Sequence, residues 1–441
     1  MRTTRRSFTI LYLCVTIMCA AAVHGQNEKT MVAQDKDESQ LTYSAGSTIT
    51  RNNPDGSWTK ILSRGVNAHH QDTDLTSEEG LYNGSVSEIR FYGNAVFKDS
   101  VRKLNADTLI YLENSREAFA IGHVIVSESG RSLWADRVRY QKDIRRIEAS
   151  GNVTVMDDST RSFITGMEAV FNDSTGHGLI IGKPFLKKED EGGSIMTATC
   201  SDTLELLQKE KMVRLWKDVV ATKDSIILTC SDTLEIVDED KSVRLWKKVV
   251  AIKDSLTARS ERAVYHDLTE TLTLTGNPEV QYVVNENRED APSTLRTVST
   301  ITGDTTRVFL HDRNITGAEV IGSAVTTTTS TDTTGTFYDR SIIESTRMRL
   351  EMGNNFISLI SAEGMARSYY HQNSTEKDKM FVNVAIGDTL TFFLNGGKII
   401  SMEIYGHGGG LGKGMYYDYT QDKTSMEPDS TKTEARVHFD H

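Results

Sequence analysis

Several short constellations in this sequence have residue types that could do chemistry. His69-His70 with Asp72 and Asp74 puts two imidazoles and two carboxylates within six residues, the nitrogen and oxygen donors a divalent metal accepts. No further ligand can be assigned from spacing, so an exposed polar turn is the favoured reading. Gly406-His407-Gly408-Gly409-Gly410 has the form of an oxyanion loop, but no G-x-S-x-G nucleophile segment accompanies it. Gly412-Lys413 hints at a phosphate loop. His407 stands where its first Gly is required and Gly414 where a Ser or Thr must hold the metal, so the motif fails. No convergent acid, base or nucleophile set remains, so the chain is expected not to be an enzyme and to need no cofactor or metal.

The two remaining chemical groups are duplicated. Cys200 and Cys230 lie 30 residues apart in nearly identical text, Thr199–Glu205 and Thr229–Glu235. They could bond in an oxidising compartment or remain separate thiols; two cysteines make no disulfide scaffold. Trp216 and Trp246 close the matching segments Val213–Lys217 and Val243–Lys247 and are expected to stack on an outer face.

What positions such groups is set by the whole chain. It has 441 residues, 38% hydrophobic and 25% charged, with 32 Gly and only 5 Pro. Length alone would suggest two or three domains. Arg2, Arg5 and Arg6 precede an apolar run from Phe8 to Val23 and a small-residue exit, so residues 1–25 read as a cleavable secretory signal peptide. That segment also carries Cys14 and Cys19. Losing its three arginines takes the formal charge from −11 to −14, which argues against nucleic-acid binding.

The dominant signal is an internal repeat. Gly65, Gly93, Gly122, Gly151, Gly182, Lys217, Lys247 and Gly276 occupy one slot at steps of 28 to 35 residues. A second slot tracks it: Glu78, Asp107, Asp136, Met167, Asp202, Asp232 and Glu261. Two markers sharing one period define a repeat architecture. Within each repeat the apolar period is two. Ile147, Ala149, Gly151, Val153 and Val155 alternate with Glu148, Ser150, Asn152 and Thr154. That alternation predicts strands with one buried face, two per repeat, joined by polar turns such as Glu113-Asn114-Ser115.

Both slots carry inward parity. Gly there would bend the strand at a corner or leave internal space. The Asp slot would accept backbone hydrogen bonds at a turn, and a Lys in the Gly slot would either reach the rim or meet a phosphate. After residue 284 the text turns polar, and 285–298 is expected to be a linker or long loop. The markers then return 42 residues apart, at Asp304, Thr346 and Asp388 and at Gly322, Gly364 and Gly406. This predicts strand pairs with longer turns, such as the Thr-rich run 326–334. The expected organisation is signal 1–25, leader 26–58, repeat module 59–284, linker 285–298, second module 299–419 and a disordered tail 420–441.

The run from Gly93 to Val155, "GNAVF…ADTLIY…GHVIV…WADRVRY…GNVTV", and the close "GDTLTFFLNGGKIISMEIYGHG" resemble the OstA-like family. This is the periplasmic lipopolysaccharide-transport domain shared by LptA, LptC and the N-terminal region of LptD. The resemblance covers roughly residues 60–418 and rests on a weak motif present in about ten copies. It implies an all-β, elongated β-taco or open β-jellyroll, built here from ~30-residue two-strand repeats followed by 42-residue ones. It implies acyl chains of lipid A held between facing sheets. It also implies end-to-end pairing of edge strands with other jellyroll transport proteins, head-to-tail self-association, and a periplasmic location that can extend to the outer membrane. Lys217, Lys247 and Met167 depart from the family pattern. The candidate groove residues are Val124, Val126, Val138, Tyr140, Val153, Leu204, Leu234 and Tyr265. The competing expectation is a secreted, ligand-free β-solenoid with a structural or adhesive role.

Overall fold

The computed structural model describes residues 40–54, 56–159, 161–189, 193–223, 225–286, 294–311, 314–335, 337–353, 356–373, 380–395, 398–406 and 415–418. These residues form thirty β-strands and no helix. They divide into two compact units. The first falls within Thr9–Asp224 and Thr233–Asp240, the second within Ser225–Asp232 and Lys241–His441. The protein is an all-β repeat fold, as its alternation requires.

In the first unit the strands run as an antiparallel meander: β1 (Thr42–Asn52), β2 (Trp58–His70), β3 (Thr73–Ser77), β4 (Glu79–Asn83), β5 (Glu88–Lys98), β6 (Lys103–Leu112), β7 (Glu117–Glu128), β8 (Arg131–Gln141), β9 (Arg146–Asp157) and β10 (Ser162–Asn172). Each strand from β5 to β10 is bent in the middle. In the β7–β8 pair, residues 117–121 face 137–141, the register shifts, and residues 124–128 face 131–135. The same break recurs in β5–β6 and in β9–β10. The two halves of each strand therefore belong to two walls. Wall one is closed by turns 113–116 and 142–145, wall two by turns 99–102 and 129–130. At β10 the walls separate: residues 168–172 pair with β11 (His177–Ile181), and residues 162–165 pair with β12 (Phe185–Glu189).

The bend explains the repeat markers. Gly122 and Gly151 have φ of +79° and +77°, and the residues after them, His123 and Asn152, are left-handed too. A Cβ on either glycine would lie 2.3 Å from the carboxylate of Asp107 or Asp136. Each Asp slot thus covers the Gly slot of the following rung and leaves no room there for a Cβ at Gly122 or Gly151. The markers sit on the outer ridge, not inside. Asp107 is bonded to His123 at 2.8 Å, Asn152 donates to Asp136 at 3.0 Å, and Asn94 donates to Glu78 at 2.7 Å. The expected inward parity is corrected, because the two-residue bulge turns the slot outward. Lys217 and Lys247 follow the same ridge at φ +66° and +60°, and Lys247 pairs with Asp232 at 3.0 Å.

The second unit repeats the two-wall plan. Strand Leu256–His266 pairs through its two halves with Thr271–Thr275 and Glu279–Glu286. These reach Thr305–His311 and Leu295–Thr302, and both of those pair with Asn314–Thr331, closing a circuit of six strands. Asn285, Glu286 and residues 295–298 of the expected linker lie in these strands. The 42-residue period comes from longer strands rather than longer turns. Asn314–Thr331, Phe337–Gly353, Phe356–Asn373 and Met380–Asn395 hold 16 to 18 residues, against 10 to 12 in β5 to β10. The Thr-rich run expected as a loop is strand through Thr331.

Candidate functional site

The candidate site is the space between the walls. Its lining follows from the period-two alternation. In wall one, Phe91, Leu109, Tyr111, Ala118, Ala120 and Val138 turn inward; in wall two, Phe97, Leu104, Val124, Val126, Leu133 and Val153 do. Large residues pair with small ones across strands: Ala118 with Tyr140, and Val124 with Ala135. Such pairing lets side chains interdigitate without voids.

Seven of the eight sequence-predicted residues lie inward in the first unit: Val124, Val126 and Val153 on wall two, and Val138, Tyr140, Leu204 and Leu234 on wall one. Leu204 and Leu234 are brought together through Leu215, which pairs with both. Tyr265 is half-buried, belongs to the second unit, and is not gathered with the others.

The interior is filled by the protein itself. The seven residues are 0 to 6% exposed. Phe97 of wall two meets Tyr140 of wall one edge-on at 5.6 Å and Tyr111 at 6.3 Å. Burial pushes the phenols of Tyr111 and Tyr140 up to about 12, so both stay neutral at any ordinary pH.

The rims, where the walls would part, are bridged by charged side chains. Lys142, on the wall-one turn, meets Asp72 at 2.5 Å and Thr73 at 2.6 Å, both on wall two, with Asp99 at 4.0 Å. Arg116 reaches Asp72 at 3.3 Å. Arg102 of wall two pairs with Asp173 of wall one and with Glu128 at 3.0 Å, and its guanidinium lies 5.0 Å over the Tyr140 ring. The hydroxyl of Tyr140 is 3.3 Å from Asp99, and that of Tyr111 is 2.8 Å from His70 Nδ1. The Lys142 ammonium holds the Asp72 carboxyl below its ordinary range. Sequence reasoning misses this set. Its only local sign is the recurrence of Asp and Arg in the turns, as in Asp99 and Arg102.

The other constellations disperse. His69 is exposed and bonded to Asp74 at 2.7 Å, while His70 turns inward, so the two imidazoles face opposite sides of β2. Among the described residues no three metal-ligating side chains gather. Cys200 and Cys230 are separate buried thiols. Burial raises the first and pushes the second up to about 11, so neither is a thiolate nucleophile near neutrality. Trp216 carries the Arg214 guanidinium at 5.4 Å. A cleft of about 410 Å³ on the outer face of wall one is lined by Phe119, Ile121, Arg137, Arg139, Glu148 and Glu168. Its Arg139 is paired with Glu117 at 3.0 Å and Glu148 at 3.5 Å. Residues 1–25, expected to be a signal peptide, the glycine-rich run 407–414 and residues 420–441, expected to be a tail, lie outside the described residues. The leader contributes β1, paired with β2 along its length.

No family model matches this chain, and no curated protein matches it.

Proposed function

We propose that this chain is a periplasmic, lipopolysaccharide-binding transport protein that shields lipid A acyl chains between its β walls and helps bridge the inner and outer membranes. One observation carries the reading. A contiguous apolar lining, contributed by both walls, runs through successive rungs of the first unit. An acyl chain needs only such a lining, since each methylene removed from water contributes about 0.8 kcal/mol. Strand β1 suits edge pairing with a jellyroll protein, because among the described residues it is paired with β2 alone. Delivery to the periplasm would use residues 1–25, and the acidic balance suits acyl rather than nucleic-acid recognition.

The test is photo-crosslinking to lipopolysaccharide from single positions. Probes at inward Val126 and Leu204 are expected to capture lipid, and probes at outward Glu148 and Thr154 are expected not to. Equal labelling of both sets contradicts the proposal.

A second reading is favoured by a different observation. The lining is already buried by the walls themselves, which suits a secreted, ligand-free β-repeat protein with a structural or adhesive role. It predicts no capture from any position.

A further inference from the structure

We propose that the cross-rim side chains of the first unit form a releasable latch, and that an acyl chain is taken up by parting the two walls at this rim. The inference rests on the lipid reading for its cargo, but the latch itself is a property of the fold.

Three observations converge. The first is how the rims are held. Each rim is tied along its own length by backbone bonds: Glu113 N–H donates to Ser87 O, Lys142 N–H to Arg116 O and Asp173 N–H to Arg145 O on wall one, and Asp158 N–H to Gly130 O on wall two. Across the rims, Lys142, Arg116 and Arg102 reach Asp72, Thr73, Asp99 and Asp173 through side chains. Each rim would therefore move as one piece while the cross-rim contacts exchange for water.

The second observation is the hinge. On the opposite side the walls are joined by the strands themselves, through consecutive left-handed residues such as Gly122-His123 and Gly151-Asn152. A short break in a ladder is the kind of place that absorbs dihedral change while the flanking strands stay intact.

The third is what fills the interior. Phe97, Tyr111 and Tyr140 occupy the space an acyl chain would need. Both tyrosines are tethered to wall two by their hydroxyls, Tyr140 to Asp99 and Tyr111 to His70. Asp99 is itself fixed by accepting from Val101 N–H at 2.9 Å and Arg102 N–H at 2.7 Å. Parting the rims would release the charges and both aromatic plugs in one movement.

The experiment reads access to the interior without lipid. In the full chain with its four cysteines replaced by alanine, one reporter cysteine is placed inside the first unit (Val126→Cys). A control reporter is placed inside the second (Leu350→Cys), and maleimide labelling is timed. Asp72→Asn combined with Lys142→Gln is expected to speed labelling at the first reporter about tenfold and to leave the control within about twofold. Tyr140→Phe, which removes only a hydroxyl and keeps the packing, is expected to give a smaller rise confined to the same reporter. Unchanged labelling at the first reporter, or an equal rise at both, overturns the latch. A fluorescent long-chain fatty acid is then added to the same proteins. Faster uptake by the unlatched variant supports the full proposal. Faster labelling with no uptake by any variant leaves the latch standing and removes its acyl cargo.

Discussion

The inner faces of the two units are built differently on the same bent-strand plan. In the first unit, wall two turns Phe97, Leu104, Val124, Val126 and Leu133 inward. In the second, the equivalent face mixes Leu295, Ile301 and Ile343 with Thr297, Ser299, Thr326, Ser330 and Asp339, all buried. The hydroxyls are satisfied across strands. Thr297 bonds Ser330 at 3.0 Å and Ser299 bonds Thr328 at 2.9 Å, each pair directly opposite in register. The contact between walls changes as well. It is aromatic in the first unit, whereas in the second the Thr326 hydroxyl meets the Met348 sulfur at 2.8 Å. The outer ridge sets the fold and is common to both units, while the inner face is free to vary.

The largest effect is expected for Phe97→Ala, which removes the ring that joins the walls and should cost about 3–5 kcal/mol in denaturant unfolding of the first unit. A loss under about 1 kcal/mol would mean the walls do not depend on this contact. Next, Gly151→Ala should cost about 2 kcal/mol or more, because it combines a left-handed Cβ penalty with a clash against Asp136. Adding Asp136→Ala should recover part of the loss, because it removes the carboxylate and leaves only the Asp136 Cβ at 2.8 Å. Full recovery or none would show that the two slots are not coupled in this way.

Smaller effects sharpen the contrast from the second unit. Ser330→Ala removes the partner of the buried Thr297 hydroxyl and should cost about 1–2 kcal/mol, whereas Thr297→Val with Ser330→Ala should cost less than the single variant. If the double variant is worse than the single, the hydroxyls serve something other than each other. On the ridge, Lys217→Gly should stabilise by about 1 kcal/mol, since Lys217 holds φ at +66° without the freedom of glycine. A thermal scan that shows destabilisation would assign the lysine a structural contact. The last effect is a pH slope. The folded Cys230 thiol is raised from 9.0 to about 11. Its contribution is therefore fully present below pH 9 and is lost as pH rises from about 9 to about 11. Cys230→Ala should flatten that part of the stability profile.

The alternation of residues such as Ile147, Ala149 and Val153 makes the strands and their buried faces legible from sequence. The recurrence of Gly122 and Asp107 makes the period legible. The direction of those slots is not, because parity counting assumes a regular pleat and the left-handed pair at Gly122-His123 interrupts it. The long strands of the second unit read as long turns because Thr326–Thr331 is an unbroken run of hydroxyl residues, so its buried parity carries no apolar signal. β1 escapes sequence reasoning for a related reason: most of its side chains are exposed. The inward parity of seven of the eight named residues is legible, but the closure of the space they face is not. Asp72, Lys142, Arg102 and Asp173 are 70 or 71 residues apart in their pairs and meet only when both walls are folded.

The most direct test of the lipid account is native mass spectrometry of the protein purified without detergent exchange from a Gram-negative envelope. The account predicts a bound species that releases lipid A acyl chains on hydrolysis and that is lost when Val126 and Leu204 are both replaced by Asp. A mass equal to the bare chain, unchanged when lipopolysaccharide is added back, would contradict it.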